Sequence, residues 1–151
     1  MIIEQWPTAL PVPYARNPRK ISAQAISAVA GSIKEFGFKS PIIVDVEGVI
    51  INGHTRLLAA QRLGLETVPV IVARDLTPAQ VQAFRLADNR VAEFSEWDGE
   101  LLKIELEECD INLDFASFDT IDIPHVAVPP APDSAAPVAV QCPKCGHAFA
   151  P

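Results

Sequence analysis

Residues 50–64 constrain the fold of this chain most strongly, because they join a strand to a short helix through a single glycine. The segment opens with β-branched residues typical of a strand, turns at Gly53, and ends its helix at Gly64. The first backbone N–H groups of such a helix have no intrahelical partner, and they favour an anion above the turn. Arg56 lies in the first helical turn, where the helix dipole disfavours a cation by about 0.3–1 kcal/mol. A phosphate or carboxylate at the turn would explain Arg56, and the alternative is that its side chain reaches Glu66 or solvent.

Length and composition indicate a globular protein. At 151 residues and 49 % hydrophobic composition, the chain has room for one folded domain and a tail. Its apolar runs are only a few residues long, so no membrane span is predicted. The first residues lack the basic and apolar regions of a signal peptide. Three cysteines, two of them in a Cys-x-x-Cys pair, are typical of a reducing compartment, so we expect a cytoplasmic protein.

The charge of the chain is unevenly distributed. The net charge is −7, but residues 1–92 carry ten Lys and Arg against seven Asp and Glu. Residues 93–122 carry eleven acidic residues against one base, Lys103. The weak basic excess of the first part is compatible with a polyanion partner. The acidic segment is either a solvated helix face or a mask that competes with nucleic acid for the basic part.

Hydrophobic periodicity and turn residues predict an α/β fold. Ser22 is typical of a helix N-cap and Gly37 of a helix C-cap, and apolar residues recur between them at helical spacing. Thr77 followed by Pro78 predicts another helix start. The predicted elements are an edge strand within 2–14, strands over 42–46, 49–52 and 68–72, and helices over 22–37, 53–64, 77–92 and 98–109. The expected apolar positions of the last, acidic helix are Leu101, Leu102, Ile104 and Leu106. Residues 113–123 are expected to close the domain.

Two polar features outside the glycine turn are candidates for a binding site. Residues 16–20 form a basic loop, held extended by its proline, in which Arg19 and Lys20 could grip a phosphate; the alternative is a solvated loop. Asp88 falls on the apolar stripe of the predicted helix over 77–92, where an unpaired carboxylate would be costly. Asp88 therefore pairs with an arginine, lies at the rim of the core, or holds a cation near the glycine turn.

The C-terminal part carries a candidate zinc motif. Residues 124–140 are rich in Ala, Val and Pro, a composition typical of a disordered linker without a core of its own. A Cys-Pro-x-Cys-Gly turn follows, and such a turn aims two thiolates at one point, as in a zinc knuckle. The local candidate ligands are Cys142, Cys145 and His147. A structural zinc site usually has four ligands, so Cys109, His125 or a second chain would complete this one; otherwise no zinc binds.

Over about residues 8–95 the motifs occur in the order and spacing of the ParB/sulfiredoxin superfamily. The matching segments are Asn17-Pro18-Arg19-Lys20, Ser32-Ile33-Lys34-Glu35-Phe36-Gly37, Pro41-Ile42-Ile43-Val44, Asn52-Gly53-His54-Thr55-Arg56 with Ala59-Ala60, and Val68-Pro69-Val70. The chain resembles the ParB-like nuclease-type N-terminal domains of phages, mobile elements and some DNA methylases. Those proteins also often carry equivalents of residues 85–90 and 95–98. The resemblance implies a compact α/β domain with a small mixed sheet and flanking helices.

The resemblance further implies a nucleotide bound over the glycine turn. In ParB proteins a glycine-and-arginine turn contacts CTP, and its counterparts here are Gly53 and Arg56. An acidic residue followed by Asn helps to hold Mg²⁺ and phosphates, which matches Asp88 and Asn89. The basic loop resembles another wall of the same pocket. The residues implied in nucleotide or phosphate binding are Gly53, His54, Thr55, Arg56, Arg19 and Lys20.

Two positions in the turn differ from the family patterns. Thr55 stands where ParB has a second arginine, and His54 stands where sulfiredoxin has its cysteine, so reductase chemistry is not expected. His54 could serve as a catalytic acid–base group or as a phosphate contact. ParB also continues into a helix-turn-helix, and nothing after residue 98 resembles one.

These features lead to three hypotheses about function. The first is a ParB-like protein that binds a nucleoside triphosphate with Mg²⁺, CTP being a candidate, and acts in DNA transactions as a switch or accessory factor. The second is an NTP-dependent nuclease or phosphotransferase using the same pocket, and the third is a non-catalytic interaction module. Expected partners are the nucleotide, DNA or a DNA-processing protein, and a second copy of the chain. The expected divisions are a nucleotide-binding domain over 1–95, an acidic helical extension over 96–123, the linker over 124–140 and a Cys-x-x-Cys tail over 141–151.

Overall fold

The computed structural model of the chain describes residues 2–91, 94–118, 140–141 and 148–149. The strands are β1 (Glu4–Pro7), β2 (Ile42–Val44), β3 (Ile50–Asn52), β4 (Thr67–Val72), β5 (Val140–Gln141) and β6 (Ala148–Phe149). The helices are α1 (Ala23–Phe36), α2 (His54–Arg62), α3 (Pro78–Val91), α4 (Gly99–Glu108) and a 3₁₀ helix over Asp114–Ala116. Among the described residues, no helix is both long and apolar enough to traverse a lipid bilayer.

Four of the strands form one mixed sheet in the order β1-β4-β2-β3. β2 runs parallel to β4, whereas β1 pairs antiparallel with β4 and β3 antiparallel with β2. β5 and β6 form a separate antiparallel pair. The predicted α/β fold with a small mixed sheet is therefore confirmed, and the strand predicted near the N-terminus lies at the sheet edge.

Alternation of side chains along the strands gives the sheet two apolar faces. Ile50 packs in one cluster with Leu57 and Ala60 of α2, while its neighbour Ile51 packs in a second cluster with Val81 of α3. α1 packs against α2. The end of β3 consequently lies between a layer formed by α1 and α2 and a layer formed by α3.

The predicted boundaries of α1 are confirmed by its caps. The hydroxyl of Ser22 accepts a hydrogen bond from the backbone N–H of Ala25 at 3.0 Å. At the other end, Gly37 has φ +77° and its N–H donates to the carbonyl of Ile33 at 2.9 Å. These are the interactions expected of an N-cap serine and a C-cap glycine.

The strand predicted over 42–46 is shorter than expected, because β2 ends at Val44. The carboxylate of Asp45 accepts hydrogen bonds from the backbone N–H groups of Glu47 at 3.0 Å and Val49 at 2.9 Å. An Asp side chain that bonds to the backbone two and four residues ahead favours a turn over a continued strand. The chain therefore turns at Asp45 and enters β3.

The acidic helix forms as predicted, but its apolar face is only partly as predicted. Asp98 caps α4 by accepting hydrogen bonds from two N–H groups of the first turn. Leu102 is 7 % exposed, whereas Leu101 is 60 % and Ile104 is 41 % exposed. Leu106, one helical turn after Leu102, is half-buried. The side of α4 that faces the protein is therefore narrower than the predicted face of four residues.

The predicted zinc motif is outside the part of the chain that the structure describes. Cys142, Cys145 and His147 fall there, as do residues 124–139 of the predicted linker. Zinc binding by this motif stays a prediction.

Candidate functional site

A cleft of about 490 Å³ opens where the basic loop, α1, the end of β3 and the start of α2 meet. Its lining residues are Asn17, Arg19, Lys20, Ile21, Ala25, Ala28, Val29, Ile51, Asn52, Gly53, His54, Thr55, Arg56 and Asn89. The lining includes Arg19, Lys20 and Arg56 and, within the described part of the chain, neither Asp nor Glu. Such a surface favours an anion, because three cations face a space without a competing carboxylate.

Gly53 places the start of α2 at the wall of this cleft. Its backbone has φ +108°, a conformation that L side chains rarely adopt, and it provides no side-chain cap for the helix. The first intrahelical bond runs from the N–H of Leu57 to the carbonyl of Gly53 at 2.9 Å. The N–H groups of His54, Thr55 and Arg56 therefore precede the intrahelical ladder, at the helix end where the dipole attracts an anion.

The Arg56 side chain has a partner that sequence reasoning did not identify. Its Nη1 donates to the backbone carbonyl of Pro41 at 2.7 Å, rather than reaching Glu66 or solvent. Burial lowers the pKa of the Arg56 guanidinium, and the negative charge of Asp88 opposes this shift. A guanidinium nevertheless keeps its charge in proteins. Arg56 is thus a partly desolvated cation held in place at the cleft wall.

His54 accepts a hydrogen bond through its Nε2 from the backbone N–H of Tyr14, at 3.1 Å. Burial, followed by the positive charge of Arg85, lowers the pKa of His54 below its ordinary value of 6.5. Both effects favour the neutral imidazole. With Nε2 accepting, the hydrogen bond assigns the remaining ring proton to Nδ1, so neither ring nitrogen has a free lone pair.

The basic loop is held against the cleft by local bonds and by α3. The side-chain oxygen of Asn17 accepts from the N–H of Arg19 at 3.1 Å, and the N–H of Asn17 donates to the carbonyl of Tyr14 at 3.1 Å. The guanidinium of Arg19 contacts the backbone carbonyl of Asn89 at 3.5 Å. The structure thus brings Arg19 and Lys20 to the same cleft as Gly53 and Arg56, as the family resemblance implied.

Asp88 lies at the rim of the core and takes a hydrogen bond from the side-chain amide of Asn52. It is half-buried and is not among the residues that line the cleft, whereas Asn52 and Asn89 are. The amide nitrogen of Asn89 donates to the carbonyl of Arg85 at 2.7 Å. Among the described residues, no group of three or more His, Cys, Asp or Glu is arranged to hold a metal. The Mg²⁺ role predicted for Asp88 and Asn89 stays a prediction.

Arg85 belongs to the segment 85–90 that the resemblance includes, but its contacts in this region were not predicted. Its Nη2 donates to the carboxylate of Asp45 at 2.7 Å, and its Nε donates to the carbonyl of Ile50 at 3.1 Å. Its guanidinium lies over the ring of Tyr14, 4.2 Å from the centroid. One signal was available, because Arg85 is one helical turn after the buried Val81 and so faces the same side of α3.

Residues 10–90 match the ParB N-terminal domain family, and the chain belongs to this family. The ParB-like nuclease domain-containing protein YnaK of Escherichia coli (strain K12) is 44 % identical over 70 residues, which are 46 % of this chain and 80 % of that protein. The superfamily resemblance read from the motifs is therefore confirmed.

Two solved structures are similar to this fold. The C-terminally truncated chromosome-partitioning protein ParB from Caulobacter crescentus, complexed with CTP-γ-S, is 25 % identical with a TM-score of 0.57. The match covers 71 % of this chain but only 64 % of that one. Sulfiredoxin from Arabidopsis thaliana is 24 % identical with a TM-score of 0.47, over 56 % of this chain and 97 % of that one.

Proposed function

We propose that this protein binds a nucleoside triphosphate in the cleft and acts in DNA transactions as a switch or accessory factor. The observation that carries the proposal is the uncapped start of α2, which adjoins a cleft lined by three cations and no carboxylate among the described residues. The phosphates would lie over Gly53–Arg56, where the N–H groups and the helix dipole act on the same charge. Arg19 and Lys20 would contact them from the loop.

The family supports the choice of ligand. The Caulobacter crescentus ParB structure that shares this fold is a complex with CTP-γ-S, so CTP is the first candidate. The side-chain oxygen of Asn89 remains available for a cation that accompanies the phosphates, since its amide nitrogen is the atom bonded to Arg85. Mg²⁺ bound there would neutralise phosphate charge, and Asp88 would act through Asn52 or after a change of rotamer.

A second candidate function is an NTP-dependent nuclease or phosphotransferase that uses the same cleft. The similarity to a protein named for a ParB-like nuclease domain favours this alternative. His54 is the only titratable imidazole at the cleft wall among the described residues. Catalysis by His54 as a base would require its Nε2 to leave the Tyr14 N–H first.

The proposal is tested by calorimetric titration of the full chain with ATP, CTP, GTP and UTP in the presence of Mg²⁺. We expect binding of at least one nucleotide, and Arg56→Ala should weaken it by about ten- to a hundredfold, because a charge-assisted bond contributes about 1.5–3 kcal/mol. Arg62→Ala is the matched control, since Arg62 lies in the last turn of the same helix and its guanidinium bonds to Ser27. Its affinity should equal that of the wild type.

The outcomes separate the three hypotheses. If no nucleotide binds, only a non-catalytic interaction module remains. If Arg56→Ala binds as tightly as Arg62→Ala, the site assignment is wrong. When a nucleotide does bind, incubation with labelled nucleotide and plasmid DNA distinguishes an enzyme, which yields hydrolysed, transferred or nicked product, from a switch, which yields none.

A further inference from the structure

Tyr14 is held from two directions at the point where the chain enters the basic loop. Its backbone N–H donates to Nε2 of His54, 3.1 Å away on α2. Its ring lies under the guanidinium of Arg85, 4.2 Å from the centroid, on α3. Tyr14 therefore connects the two helical layers that border the cleft.

Arg85 is itself fixed rather than adaptable. Its side chain is 12 % exposed and forms an ion pair with Asp45 at 2.7 Å, whose side chain is 15 % exposed. A further bond at 3.1 Å ties it to the carbonyl of Ile50 in β3. Because two hydrogen bonds to different partners and burial leave this guanidinium few alternative positions, its contact with the Tyr14 ring has a defined location.

Two chains of contacts continue from Arg85 to Arg19 of the loop. The carbonyl of Tyr14 accepts from the N–H of Asn17, and the side chain of Asn17 then bonds to the N–H of Arg19. From the other side, the carbonyl of Arg85 accepts from the side chain of Asn89, whose own carbonyl faces the Arg19 guanidinium. Arg85 is not among the cleft-lining residues, yet its side chain begins the route through Tyr14 and its backbone carbonyl begins the route through Asn89.

We propose that Arg85 and His54 are positioning residues that hold the basic loop against the cleft, with His54 acting as a neutral hydrogen-bond acceptor rather than as a catalytic base. This inference rests on the proposed nucleotide site. The side chain of Arg85 acts through the ring of Tyr14, and it does not line the cleft. His54 acts through the Tyr14 N–H.

The charges around His54 agree with this role. The cation that acts on it is Arg85 from α3, and the loop side presents the backbone N–H of Tyr14. A protonated imidazole would direct an N–H at the Tyr14 N–H and would add a charge beside Arg85. Both effects oppose protonation, so the acceptor state is the one that the surroundings favour.

The first test measures whether Arg85 acts through the loop. With the nucleotide that binds the wild type, Arg85→Lys should raise the Kd about tenfold. Lysine keeps the charge, but it cannot form both hydrogen bonds of the guanidinium or stack on the Tyr14 ring. In an Arg19→Ala/Lys20→Ala background the same substitution should change the Kd by less than about twofold, since the cations that it positions are absent. Arg74→Lys is the control, as Arg74 forms an exposed pair with Glu4 away from the cleft.

The second test concerns His54. His54→Leu, which removes the acceptor, should weaken binding about tenfold, and His54→Gln, whose amide oxygen can accept from Tyr14, should recover part of that loss. In NMR spectra that record the ¹⁵N chemical shifts of the histidine rings of the wild-type chain, Nε2 of His54 should appear unprotonated and Nδ1 protonated.

Each outcome decides the inference. If the wild type binds no nucleotide, the proposed function fails. The tautomer of His54 in the NMR spectra then tests its acceptor role independently of nucleotide binding. If wild type binds but Arg85→Lys binds equally well, or loses the same factor in the Arg19→Ala/Lys20→Ala background, the loop is not positioned by Arg85. Equal losses for His54→Leu and His54→Gln in folded proteins would overturn the acceptor role.

Discussion

Among single residues, the position of the Arg56 side chain depends on the absence of a side chain at Gly53. A Cβ built on Gly53 would lie 3.2 Å from the Cα of Ile42 and 3.3 Å from Nη1 of Arg56, and the backbone φ of +108° is already unfavourable for any other residue. The glycine therefore provides both the turn and the room in which the guanidinium reaches the carbonyl of Pro41. A side chain at position 53 would disturb the fold and the anion site together.

We predict that Gly53→Ala lowers the free energy of unfolding by about 2–4 kcal/mol, because backbone strain and a tight contact with backbone atoms add. Gly64→Ala is the matched control, since Gly64 has φ +68° but no atom within 4 Å of an added Cβ. It should lose only about 1–2 kcal/mol. Urea unfolding of both variants measures the difference, and equal losses would mean that the space around Gly53 is unimportant.

His54 should make stability depend on pH. Its pKa is lowered in the folded protein, so between the folded value and the ordinary value of 6.5 the unfolded chain binds more protons. Stability from this group is complete above pH 6.5 and decreases as the pH falls below it. Between about pH 8 and pH 5 the wild type should therefore lose more unfolding free energy than His54→Gln. Parallel pH profiles for the two proteins would contradict this prediction.

At the scale of elements, the 3₁₀ helix is packed directly onto the backbone of α1. A Cβ on Gly31 would lie 2.5 Å from the Cβ of Phe115, and the ring of Phe115 also meets Phe36 edge-to-face with 6.1 Å between centroids. A glycine inside a helix is unfavourable by about 1 kcal/mol relative to alanine. In α1 this penalty is offset because the missing Cβ allows Phe115 to approach, which joins the 3₁₀ helix to α1.

We predict that Gly31→Ala changes the free energy of unfolding in opposite directions in two backgrounds. In the wild type the substitution should destabilise the protein by about 1–3 kcal/mol, because the Phe115 backbone must move away. In a Phe115→Gly background it should stabilise α1 by up to about 1 kcal/mol, since only the helix propensity remains. A double-mutant cycle from urea unfolding measures the coupling, and a coupling near zero would mean that Phe115 does not rest on α1.

At the scale of the whole molecule, the chain separates its charges between a basic cleft and an acidic extension. The cleft lies among residues 17–89, whereas α4 and its neighbours contribute most of the acidic residues. The expected division at residue 95 places the extension outside the nucleotide-binding domain. The contact between Phe115 and α1 nevertheless links the two parts structurally.

We predict that a chain ending at residue 95 folds but is less stable than a chain ending at residue 123. The expected difference in unfolding free energy is about 1–3 kcal/mol, from apolar surface of α1 that Phe115 and its neighbours cover. The chain that ends at residue 95 should bind the nucleotide with unchanged affinity, because the last residue that lines the cleft is Asn89. If the two chains are equally stable, residues 96–123 do not stabilise the rest of the protein. If the shorter chain loses nucleotide binding, the domain boundary lies beyond residue 95.

Much of the local structure was predictable because it depends on neighbours in the chain. Ser22 and Gly37 delimit α1, and Gly53 begins α2, since caps and turns require particular residues within four positions. Runs of β-branched residues between turn signals likewise predicted the strands, and the turn after β2 begins earlier than predicted, at Asp45. The family motifs then directed attention to the cleft residues before any contact was known.

Local patterns in the sequence therefore predicted the elements, most of their ends and the cations that line the cleft. How the residues of the cleft wall are held follows instead from tertiary packing, through the bonds of His54 to Tyr14 and of Arg85 to Asp45, each between residues 40 positions apart. The physical reason is that caps, turns and periodicity act over a few residues, whereas a contact between distant residues depends on how layers pack. One sequence contains no measure of that packing.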